Sequence, residues 1–316
     1  MSRSNRFERM LHWYPPHWRS KYAEGMAALL EDTYGTGRVP IHVRLSLVKT
    51  GALERAREVG FIGSATSPHE RERAGSLLVL CGWGAFMIAG AIFAKFTDNW
   101  GASQLGGANR TLITSLYDVV QWSGAAGVLV VLGAAILVLP SLLRMLGGGD
   151  WITVRRPLLR ALVAGAIIAV STAAIVIWAH FLSYRERNGT LAVYGYVVGA
   201  WSLMVSVAVG VVASAAVSVA RRLDLSRRTV QWLSTMAVVL TSLMFVILAA
   251  MLAWWSIESV HAPVFMRNGI GNGLFYTSSE FPLALIAAAL LMSAGLCAAI
   301  GGTVRVVRAR RDGAYA

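Results

Sequence analysis

Charge is scarce in this chain. Only 14% of its 316 residues are Asp, Glu, Lys or Arg, against the ~25% that a water-facing surface usually carries. That shortage excludes the pair of ordinary soluble domains that the length alone would suggest. Cysteine is nearly absent too. Cys81 and Cys297 each lie inside an apolar run, so neither a disulfide framework nor a zinc site follows, and both are expected to be reduced and inert. No apolar core with a small-residue cleavage site opens the chain, so the N-terminal segment is expected to be retained. No phosphate-binding glycine loop appears, so any ATP-driven activity would need a separate ATPase subunit. No cofactor is implied, and no catalytic constellation is legible, so an enzyme is not expected.

What is present is hydrophobic: 56% of the residues. The apolar residues run in long blocks, while the first 73 positions hold 20 of the 45 charged side chains. A helix needs ~20 residues to cross a ~30 Å hydrocarbon core, and helices satisfy their own backbone groups there. Six segments meet that length: 74–96, 119–143, 157–182, 192–220, 230–255 and 281–306. The expected fold class is therefore an all-α integral membrane protein, with six transmembrane helices and a small N-terminal cytoplasmic helical domain. None of the six segments has a charge in its central stretch, which argues against an ion-coupled transporter. No internal repeat is visible, so inverted-repeat transporter folds gain no support.

Lysine and arginine orient the segments. Assigned to alternating sides, 24 of the 29 fall on one side and five on the other. The basic side holds both termini, which predicts a multi-pass protein of the cell (plasma) membrane with the N- and C-termini inside. A net charge of +13 is thereby explained by span flanks, so no direct nucleic-acid contact is expected, and anionic lipid headgroups are the partners of that charge. Trp83, Trp100, Trp122, Trp178, Trp201, Trp232, Trp254 and Trp255 fall near the expected interfaces. Small residues crowd the fourth and sixth segments, which suits close helix packing within the chain first and self-association second.

Residues 1–60 read as a three-helix cytoplasmic domain, 61–73 as a linker and 307–316 as a basic tail. The first short helix covers Asn5 to Trp13 and stops at Pro15 and Pro16. The second starts at Pro16 and carries Trp18, Tyr22, Met26, Leu29 and Leu30 on one stripe, ending at Gly35 and Gly37. The third has Ile41, Leu45, Val48 and Ala52 as its apolar face. So small a domain buries little surface and should lean on the membrane, a partner or another copy. Outside, two longer loops are expected, Thr97 to Asp118 and Ser256 to Glu280. The second, apolar in Val264, Phe265, Met266, Ile270, Leu274, Phe275 and Tyr276, should fold back on the bundle. His12 and His17 lack a third ligand at helical spacing. His180, His261, Glu186, Glu258 and Glu280 gather at the outer face without metal-site or acid–base spacing.

The run Arg9-Met10-Leu11-His12-Trp13-Tyr14-Pro15-Pro16-His17-Trp18-Arg19, continuing through Tyr22 to Leu29-Leu30-Glu31-Asp32, resembles the short cytoplasmic domain of many actinobacterial multi-pass membrane proteins. That domain is similar to helical signalling domains linked to regulators of the PadR type, and to prefixes on some exporter permeases. The chain departs from the pattern at Ala23-Glu24-Gly25, where the family has Gly-x-Glu. The resemblance covers about the first 60 residues. It implies a membrane-embedded signalling protein that binds a cytoplasmic transcription regulator or sigma factor, with Tyr14, Pro15, Trp18, Arg19, Tyr22, Glu31 and Asp32 as the partner-binding residues. The rival expectation is the membrane subunit of an ATP-driven exporter of the ABC type.

Overall fold

A computed structural model describes residues 10–35, 37, 39–58, 68–97, 100–103, 105–147, 151–183, 185–220, 223, 225–268 and 280–314. Among them the chain is helical, with no strand. A 3-10 turn, Leu11–Trp13, precedes α1 (Pro16–Tyr34) and α2 (Ile41–Glu58). The bundle helices are α3 (Pro68–Phe96), α4 (Gly107–Gly147), α5 (Trp151–His180), α6 (Ala192–Ala220) and α7 (Arg227–His261). The short α8 (Pro263–Asn268) and then α9 (Glu280–Ala314) complete them. Six of these, α3 to α7 and α9, are long and apolar enough to cross a membrane, as the hydropathy blocks predict.

Several ends lie beyond the expected boundaries. Helix α3 begins at Pro68, so 68–73 continue the first span instead of belonging to a linker. The Thr97–Asp118 loop is shortened because α4 starts at Gly107, and α7 absorbs Ser256 to His261. Residues 307–314, read as a tail, are the last turns of α9, with Val306 and Ala309 buried. Polar helix turns outside the lipid carry no hydropathy signal, which is why the sequence reading stopped short. Helix α4, at 41 residues, is about 60 Å long at 1.5 Å per residue, twice the ~30 Å hydrocarbon core. In the apolar loop, Phe265 and Met266 of α8 are buried against the bundle, as expected of a segment that folds back. Residues 269–279 of that loop lie outside the described residues, as do Asn5 to Arg9 of the first expected helix.

Helix α3 packs mainly on α9, and both rest on α7; α4 lies along α7, while α5 and α6 pair and α6 reaches α3. The core runs through Val79, Phe86 and Phe93 of α3, Met244, Met251 and Trp254 of α7, and Leu285 and Met292 of α9. Phe93 and Trp254 meet edge to face at 5.4 Å, a favoured aromatic geometry. Trp83 and Trp254 are thus buried packing residues and not interface anchors, whereas Trp122 and Trp232 face outward. Between α5 and α6, the Ser183 N–H donates to the Glu186 carboxylate (2.7 Å) and the Glu186 N–H to Ser183 Oγ (3.4 Å), a reciprocal cap. Hydrogen bonds from Ser183, hydroxyl first and backbone N–H second, hold the Glu186 carboxyl below the usual carboxylate range.

The N-terminal unit has its own core: Leu11, Tyr14, Leu30 and Val39, with Val43 and Leu47 against them. The expected face of α2 is corrected here. Ile41 and Leu45 point outward, and Val43, Leu47 and Gly51 face inward. The cause is close approach: a Cβ on Gly51 would lie 2.9 Å from the Trp13 carbonyl carbon, so α2 turns its glycine to the 3-10 turn. Gly51→Val should therefore loosen α2 by about 1–3 kcal/mol, the usual cost of overpacking. Hydrogen exchange in the full-length protein should show faster exchange over 41–58 and unchanged protection in α3.

Candidate functional site

Two groups of side chains stand out, and the sequence reading pointed to only one. In the N-terminal unit, Tyr14 takes the extended conformation required before proline (φ −80°, ψ 151°). Pro15 then caps α1, and Pro16 occupies its first turn. This bend lays the Tyr14 ring on Trp18 at 4.0 Å, and Trp18 in turn lies 5.4 Å from Tyr22. Burial raises the Tyr14 phenol above its ordinary value, a hydrogen bond with Thr50 opposes this, and the Glu54 charge adds to it. The Arg19 guanidinium donates to His12 Nδ1 (3.4 Å), and Arg55 Nη2 donates to the His12 carbonyl (2.7 Å).

The seven residues expected to bind a partner therefore separate. Tyr14, only 3% exposed, and Pro15 are buried inside the unit, so neither offers its surface to a partner. Trp18 and Arg19 are half-buried and brace the bend, while Tyr22, Glu31 and Asp32 are exposed. The stripe expected to bury Leu29 leaves it 62% exposed, and Ile41 and Leu45 stand 76% and 64% exposed on α2. These three side chains, which pattern reading assigned to a core, are the most exposed large apolar residues of the unit, ahead of Trp13, Tyr22 and Leu53. Glu31 and Asp32 follow on α1, separated from Leu29 by the buried Leu30.

The second group lies where the N-termini of α3 and α7 meet the C-terminal turns of α9, called here the basic end. Glu72 Oε1 accepts from Ser234 Oγ (2.7 Å) and from Arg310 Nε (2.9 Å). The same guanidinium donates through Nη2 to the Gln231 carbonyl and to Thr235 Oγ1 (3.2 Å). One turn on, Ser76 Oγ lies 3.5 Å from Ser234 Oγ. Arg71 pairs with Asp312 at 2.9 Å, and Thr241 and Thr303 share a hydrogen bond of 2.8 Å. Three helices from opposite ends of the chain are thus latched by one carboxylate and one guanidinium. These hydrogen bonds fix α9 against α3 and α7.

Sequence reasoning missed this latch because Glu72 sat in an apparent linker and Arg310 among topogenic arginines. Positions 238 apart share no local pattern; the one available signal was an acid placed at a span end among bases. At the opposite end, Glu258 is fully buried in the last turn of α7 and not in an outer loop. Among the described residues, no three His, Cys, Asp or Glu come together as a metal site. Compared with known protein families, curated proteins and solved structures, the chain matches none.

Proposed function

We propose that this protein is a non-catalytic regulatory protein of the cell membrane that holds a cytoplasmic regulator through its N-terminal helices. The observation that carries the reading is the outward placement of Leu29, Ile41 and Leu45 on a unit of three short elements. Large exposed aliphatics beside charged residues are the composition of a protein-docking surface. The 24-to-5 split of Lys and Arg supports placing both termini, and with them this surface, in the cytoplasm. The partner class is a transcription regulator or sigma factor, and Tyr22, Glu31 and Asp32 supply the polar rim.

The test uses the full-length protein, crosslinked in its native membrane, affinity-purified and analysed by mass spectrometry. A DNA-binding regulator should be recovered, and Leu29→Glu with Leu45→Glu should cut its recovery at least tenfold while leaving the protein's helicity and membrane insertion unchanged. Undiminished recovery with the double variant would remove the surface from consideration. Recovery of an ATPase in place of a regulator would make the chain an exporter subunit.

A further inference from the structure

Between α3, α4, α6 and α7, toward the basic end, lies a partly open cavity of about 290 Å3. That is roughly twice the ~150 Å3 that accommodates a benzene ring. Its walls are aliphatic, from Leu77 and Leu80 on α3 to Val131 and Val138 on α4 and Leu233 and Leu240 on α7. Such walls offer water almost no hydrogen bonds, so water does not fill the space. Left empty, the same walls forfeit their dispersion contacts. In a bilayer the abundant filler of matching chemistry is an acyl chain.

Among the described residues, the polar lining is confined to one place. Arg73, the one charged residue among the described lining residues, and Ser76 both sit on the first turns of α3. Neighbouring segments add positive charge at the same level. Arg227 and Arg228, on the first turn of α7, are exposed. Arg144, near the end of α4, is exposed. An apolar slot ending in a guanidinium matches a hydrocarbon tail ending in a negative headgroup.

We propose that this cavity binds one acyl chain of an anionic phospholipid, with the headgroup phosphate held at Arg73. The chain takes the place of a side chain in the packing of α3, α4, α6 and α7, and the arginine selects the lipid by charge.

Native mass spectrometry of the full-length protein in mild detergent, with dioleoyl phosphatidylglycerol and dioleoyl phosphatidylcholine, tests this. One phosphatidylglycerol should survive activation that strips phosphatidylcholine. Arg73→Gln should reduce its retention at least tenfold, and Arg73→Lys should restore most of it. Ala134→Leu, which adds bulk to the cavity wall, should exclude the lipid and leave the thermal midpoint without added lipid at or above that of the parent protein. Should that variant fail to assemble, the comparison of Arg73→Gln with Arg73→Lys decides alone. Equal retention of the two lipids, or retention indifferent to Arg73→Gln, overturns the proposal. Displacement by excess soluble glycerol phosphate would also overturn it, since a headgroup site would then suffice without the tail.

Discussion

Leucine at Gly302 will force α3 and α9 apart and lower the stability of the bundle by about 3 kcal/mol, the upper end of the overpacking range. The two helices cross backbone to backbone at two levels. A Cβ on Gly302 would stand 2.6 Å from the Gly75 carbonyl oxygen and 2.9 Å from Val79 Cγ2, and one on Gly75 would stand 2.6 Å from the Gly302 oxygen. Two turns further along α3, a Cβ on Gly82 would lie 2.8 Å from the Gly295 oxygen. Main-chain oxygens cannot swing away as a flexible side chain can, so the only relief is separation of the helices. In lipid that separation forfeits dispersion contacts that hydrocarbon does not fully replace. Gly301, one residue away, faces open space, which makes Gly301→Leu the control, expected within about 0.5 kcal/mol of the parent. Thermal unfolding of both variants in the same detergent measures the difference. Equal midpoints for the two would mean that the crossing does not hold the bundle.

Arg310→Met should be the next most damaging single change, at about 2 kcal/mol. Removing one member of a fully buried ion pair costs ~3–5 kcal/mol, because the other charge is stranded. Here the side chain of Glu72 is 11% exposed and that of Arg310 is 37% exposed, so water offsets part of the loss. Glu72→Gln should cost less, since the amide can still accept from Ser234 and the guanidinium can still donate to Gln231 and Thr235. The double variant Glu72→Gln/Arg310→Met should be more stable than the sum of the two single losses by about 1 kcal/mol, the signature of directly coupled partners. Strict additivity in chemical or thermal unfolding would show that the two residues act independently.

The spans were legible because membrane insertion is decided locally. A block such as 192–220 has the same ends in the sequence reading and in α6, since its hydropathy is a property of its own residues. The prolines at 15 and 16 were equally readable, because proline's effect on its predecessor is steric and immediate. Faces were less legible. Helix α2 has two candidate stripes, one through Ile41 and Leu45 and one through Val43 and Leu47. Apolarity alone favours neither, and Gly51 against the Trp13 backbone settled the choice. The same limit explains Tyr14: its motif marks it as special, but only the fold shows that it is spent on the unit's own core.

By itself the sequence determined that this is an all-helical chain with six helices apolar enough to span a membrane, how its basic residues divide, and where its N-terminal helices break. The tertiary structure alone decided which helices are neighbours. It joined Gly75 to Gly302 and Glu72 to Arg310, left Leu29, Ile41 and Leu45 outside, and opened the slot beside Arg73. The reason is physical. Lipid is as apolar as a leucine-lined helix face, so hydrophobicity places a helix in the membrane without choosing its partner. That choice rests on close contact and hydrogen-bond geometry between residues far apart in the chain.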